Sequence, residues 1–222
     1  MKSILFKSFH LTPTHYTSLS SKLKDFIYSS ENGEGVQVVE ERSDYIKCIY
    51  CYEAISSQNT YNPTLEEFCK IEIRRIELVP FIIDMKYNTL DIIGSKPKCS
   101  KVVEMIGRLT NFKIAISDIQ VNPIKILLAC AESRIPYYVS RVKLKDYIFF
   151  DNIIGDCVLN LSNYDKTDEL LSKYEEQIIK FTAVLTLDDT YSITFSKHGT
   201  ITLHKDLEDV DIELIRILKS GL

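Results

Sequence analysis

The chain has 222 residues, 45% of them hydrophobic and 26% charged, and a formal net charge of −4. This is the balance of an ordinary globular protein, enough for one large domain or two intimate halves of about 110 residues. No apolar run approaches the ~20 residues of a bilayer-spanning helix, and the acidic balance argues against a dedicated coat for duplex DNA.

Residues 3–9 alternate as a first strand. With Lys7 and His10 the segment is too short and too polar for a secretory leader, so a cytoplasmic location is expected. Pro13 stops the strand and Thr14 can cap a helix over 14–29, where Leu19, Leu23, Phe26 and Ile27 form one stripe. The run Asn32-Gly33-Glu34-Gly35 breaks that helix. Residues 36–41 and 45–55 read as a hairpin, 56–63 as a polar loop, and 65–76 and 81–93 as further strands. Pro97 suits the first turn of a helix burying Val102, Val103, Ile106 and Leu109. The pattern then restarts with a strand at 112–119 and a short helix from Pro123 to Ala131. A long, bent strand at 136–150, a strand at 157–161 and a helix at 164–176 follow, then strands at 178–187, 191–196 and 200–204. Asp206, with Asp209 three residues on, is expected to cap a closing helix that buries Val210, Leu214, Ile217 and Leu218.

Two stretches, 81–110 and 191–221, share one grammar of strand, tight turn, strand and helix, and their turns Asn88-Thr89 and Gly199-Thr200 lie 111 residues apart. The expected fold class is therefore α+β. It has two pseudo-repeated halves, 1–111 and 112–222, each strand-helix-antiparallel strands-helix, packed as one compact unit with a curved sheet covered by helices. Such tandem halves resemble the TATA-binding protein and its relatives at the level of fold. The resemblance implies a saddle or cleft but carries no function. The halves differ in charge: 14 basic and 14 acidic groups in 1–111, 13 and 17 in 112–222.

Cys48, Cys51, Cys69, Cys99, Cys130 and Cys157 lie mostly in apolar patterns and read as reduced, small hydrophobes. The Cys48/Cys51 pair puts its thiols on opposite faces of a strand and has no second pair, so no metal site is expected. No cofactor is expected either, because the glycine-rich nucleotide loops and the nucleophile elbow are absent.

Two of the four histidines stand in H-x-T triplets, His10-Leu11-Thr12 and His198-Gly199-Thr200. Paired triplets of this kind resemble the two-histidine phosphoesterases. The resemblance implies one histidine as base, the other as acid, and Thr12 and Thr200 on phosphate oxygens of a nucleotide or RNA end. Against it, the triplets fall at non-matching places in the two halves.

Two basic features remain. Arg141, Lys143 and Lys145 alternate with Val142 and Leu144, which puts the three cations on one strand face. Lys96, Lys98 and Lys101 surround a helix start, where they add to the positive end of the helix dipole. The leading expectation is a non-enzymatic binding or assembly protein presenting its sheet to a protein partner, a larger complex or nucleic acid. A homo-oligomer is compatible with this, and a membrane is not expected. The alternative is the phosphodiesterase.

Overall fold

A computed structural model describes residues 2–64, 66–150, 153–161, 166–204 and 212–220. In chain order the elements are β1 (Lys2–Phe9), α1 (Pro13–Asp25), β2 (Glu34–Glu41), β3 (Tyr45–Asn62), β4 (Glu67–Asp84), β5 (Thr89–Ile93) and α2 (Lys96–Leu109). Then come β6 (Ile116–Asp118), α3 (Pro123–Glu132), β7 (Tyr137–Phe150), β8 (Ile153–Asn160), α4 (Thr167–Lys173), β9 (Ile178–Thr186), β10 (Thr190–Ser196), β11 (Thr200–Leu203) and α5 (Ile212–Ser220). Proline at the first turn opens α1, α2 and α3, where its missing N–H costs no hydrogen bond. Thr12 and Asn122 cap α1 and α3 through their side chains.

The strands make one open sheet in the order β2-β3-β4-β5-β1-β11-β10-β9-β7-β8, with β6 also on β1. β1 is the hinge of this order. One of its edges pairs with β5, and the other is shared by β11 along Lys2–Leu5 and β6 along Lys7–Phe9. Cross-strand partners share a face, so the two core clusters assign the helices to sides. Leu19 and Leu23 of α1 and Val102, Met105 and Ile106 of α2 pack with Cys48, Phe81, Ile92 and Phe9. Ile126 of α3, Leu171 of α4 and Leu214 and Leu218 of α5 pack with Phe181, Ile193, Ile201, Ile4 and Phe6. Phe6 and Phe9 point to opposite sides of β1. The first two helices therefore cover one face of the sheet, and the last three cover the other.

This overturns the expected pair of strand–helix repeats. Among the described residues the chain is mostly antiparallel sheet, 51% strand against 26% helix, with 11 strands in one open sheet and five helices. The expected strand over 112–119 contracts to the three residues of β6. Asn111 and Phe112 take left-handed backbone, with φ of 51° and 54°, and β11 already fills the other part of β1's edge. The saddle implied by the TATA-binding protein likeness needs all helices on one side, and here they divide between the two. The anticipated cap of the closing helix, Asp206 with Asp209, lies outside the described residues.

A second correction concerns 56–63, anticipated as a loop. It is strand: β3 and β4 run 18 residues each, in register from Tyr45↔Asp84 to Asn62↔Glu67. β2 reaches β3 only as far as Tyr52, and β5 reaches β4 only from Phe81. The pairs from Glu53↔Ile76 outward thus form a two-stranded arm that neither neighbour flanks.

All six cysteines are free, with Cys48, Cys99 and Cys130 buried. Burial pushes the Cys48 thiol up to about 12 and those of Cys99 and Cys130 to about 11, which keeps them protonated and unreactive. Among the described residues, no helix is long and apolar enough to cross a membrane.

Candidate functional site

Strands β10 and β11 alternate strictly, and β9 does so from Lys180 to Ala183. Phe181, Ala183, Ile193, Phe195, Ile201 and Leu203 enter the core under α3 to α5. The intervening residues must then face the other side, which α1 and α2 leave open beyond β1. One register row crosses five strands there: Arg141 beside Thr182, Thr182 beside Thr194, Thr194 beside Thr202, and Thr202 beside Ser3. At about 4.8 Å per strand the row spans roughly 19 Å. Its hydroxyls join, Thr182 Oγ1 to Thr194 Oγ1 at 2.9 Å and Ser3 Oγ to Thr202 Oγ1 at 3.3 Å, and Thr194 Oγ1 also meets His204 Nε2 at 3.1 Å.

The adjacent row puts Lys143 directly opposite Lys180, with Ser196 beyond. Like charges facing each other across neighbouring strands destabilise a sheet. Lys143 is relieved by Asp156 at 3.0 Å, whereas Arg141 and Lys180 make no ion pair with any described residue. Arg141, Lys143, Lys180, Thr182, Thr194 and His204 line a shallow cleft of about 330 Å³. Cations and hydroxyls with a single, already paired carboxylate suit an anion rather than a metal ion.

The remaining predicted residues lie elsewhere. Lys145 stands where β7 bulges before Tyr147, and it pairs with Asp146 at 3.9 Å. Lys98 is bound to Glu77, and Lys101 lies 3.8 Å from Glu104. Lys96 lines a different cleft, of about 460 Å³, with Leu5, Lys7, Cys99, Val103 and Phe112. The Lys7 ammonium binds Asp118 and holds its carboxyl below the usual range, with smaller contributions from His198 and Lys96.

Thr200 pairs with Leu5 and the Gly199 carbonyl accepts from the Phe6 N–H at 3.0 Å, so the His198 turn lies beside the middle of β1, whereas His10 follows the end of that strand at Phe9. Thr12 Oγ1 is occupied in capping α1, accepting from His15 N–H at 3.3 Å. His198 is exposed in the β10–β11 turn.

Sequence reasoning finds Arg141 and Lys143 but misses Lys180, Thr182, Thr194, Thr202 and His204. The signal is present: Lys-Phe-Thr-Ala, Ser-Ile-Thr-Phe-Ser and Thr-Ile-Thr-Leu-His alternate apolar with polar residues, the mark of strands with one open face. No protein-family description and no curated protein sequence matches the chain.

Proposed function

We propose that the open face of β7, β9, β10 and β11 binds a single nucleic-acid strand by its phosphates, as a non-enzymatic binding module. The observation that carries this reading is the Lys143–Lys180 pair, two like charges held opposite each other beside an Arg141 that meets no described carboxylate. An approaching phosphate chain relieves that repulsion. The threonine row supplies hydroxyl donors between the cations and the middle of the sheet, as phosphate contacts require. Beside the cations, Tyr138 is an exposed aromatic of this face, 53% accessible, and one ring there is too little for a stacking platform. Binding is therefore expected to be electrostatic and nearly indifferent to sequence.

The test is titration of a fluorescent single-stranded oligonucleotide at increasing salt. Three neutralised phosphates give a slope of log affinity on log salt of about −2. Arg141→Glu, Lys143→Glu and Lys180→Glu together should abolish binding, whereas Lys98→Glu with Lys101→Glu should leave it unchanged. Absence of binding at low salt, or a triple variant that binds like the parent, overturns the proposal.

A further inference from the structure

The arm formed by β3 and β4 is built unlike the rest of the sheet. Along the outer edge of β4, residues Glu67 to Ile76 have no described strand beside them, since β5 joins only at Phe81. An unpaired edge is a template for another strand, and this one is neither short nor blunted by proline. It also displays Phe68, Ile71, Ile73 and Ile76, which are 76%, 48%, 43% and 55% exposed.

The order of residues on this edge identifies the occupant. When two copies of the edge pair antiparallel about a twofold axis at Ile71, residue numbers of partners sum to 142. Ile71 then faces Ile71 of the second copy, Lys70 faces Glu72, Cys69 faces Ile73, Phe68 faces Arg74 and Glu67 faces Arg75. Each opposite-charge pair occurs twice, and partners lie on the same face of the joint sheet, as antiparallel pairing requires. The neighbouring registers are poorer. Centring on Lys70 sets Lys70 against itself, and centring on Glu72 sets Lys70 against Arg74 and Glu72 against itself. Centring on Ile73 keeps one opposite-charge pair, Glu72 with Arg74, but sets Lys70 against Ile76 and Glu67 against Val79. Within the chain, Lys70, Glu72 and Glu67 make no ion pair with any described residue, so their charges are available, whereas Arg75 meets Glu77 at 2.6 Å and must share or exchange that partner.

We infer that β4 of one molecule pairs with β4 of a second copy from Glu67 to Arg75, in register about Ile71, to make a homodimer with a four-stranded intermolecular sheet. About eight to ten main-chain hydrogen bonds close that edge, and the two acid–base pairs fix its register.

The experiment is the mass of the full chain in solution at low salt, for the parent and for two charge reversals. The parent is expected to be a dimer. Lys70→Glu sets two carboxylates opposite each other at both copies of the pair, and Glu72→Lys sets two ammonium groups there. Each variant alone should therefore be at least about tenfold weaker in association. Mixed together, one variant supplies acids and the other bases at every facing position, and a heterodimer should form. This mixing separates a broken interface from a broken fold. A monomeric parent at a hundred micromolar, a dimer insensitive to both reversals, or single variants that fail to associate on mixing overturns the proposal.

Discussion

Lys219 shows how far one side chain can tie distant segments together. Its ammonium, 2% exposed, donates to Asp84 Oδ2 at 2.7 Å and touches Asp91, joining α5 to the ends of β4 and β5. Asp84 Oδ1 also accepts from the Lys86 and Tyr87 N–H groups, but neither oxygen of Asp91 gains a well-aligned hydrogen bond. Lys219→Met would leave two buried carboxylates without a counter-charge and should cost about 3–5 kcal/mol, read from denaturant midpoints. Burial raises the Asp91 carboxyl to about 6, against the smaller opposing pull of Lys219. An unfolded aspartate titrates near ~3.9. Between about pH 4 and 6 the folded chain thus holds a proton that the unfolded chain has lost. Asp91 therefore contributes a stability that falls as pH rises through this window and levels off above it. Asp91→Asn should remove that slope, and unfolding midpoints across the window that keep the parent's slope would show that another group sets it.

At the scale of elements, the arm is the part least supported by the core. An isolated two-stranded ribbon is marginally stable in water. Joining Tyr52 to Glu77 through an Asn-Gly turn removes the arm while keeping the pair at its base. The shortened chain should stay folded, with stability changed by about 1 kcal/mol, or 2–4 °C in melting temperature for a chain of this size. It should also be monomeric. Most of the arm, in 45–55 and 65–76, was legible as strand; only 56–63 was not, because it lacks a buried face and the hydrophobic alternation that marks a strand is missing along Ser56-Ser57-Gln58-Asn59-Thr60. Local chemistry elsewhere was legible. Prolines 97 and 123 announced two helices, whereas Pro13, read as a strand stop before a Thr14 cap, is the first residue of α1 behind a Thr12 cap; the Asn88 and Gly199 turns have the positive φ, 52° and 76°, that their residue types favour.

For the molecule as a whole, the division of helices between the two faces was the hidden fact. β1 and β5 carry apolar residues on both sides, Ile4 and Phe6 against Leu5 and Phe9, then Leu90 and Ile92 against Ile93. That is the mark of strands covered twice, but in so short a run it cannot say which helix lies on which side. The site was half legible for the same reason. A stripe on β7 is read from one strand, whereas the row from Arg141 to Ser3 exists only once five strands are in register. The pairing of Lys2–Leu5 with Thr200–Leu203 also sets the order of assembly. Closing a loop of nearly two hundred residues is slow, and the pairings it rewards come late. During synthesis the Lys2–Leu5 stretch of β1 must wait with that edge open until residue 203 has left the ribosome. Both proposed surfaces mature on opposite sides of that delay: the β3–β4 arm can form early from adjacent sequence, while the anion face is complete only when the last strand arrives.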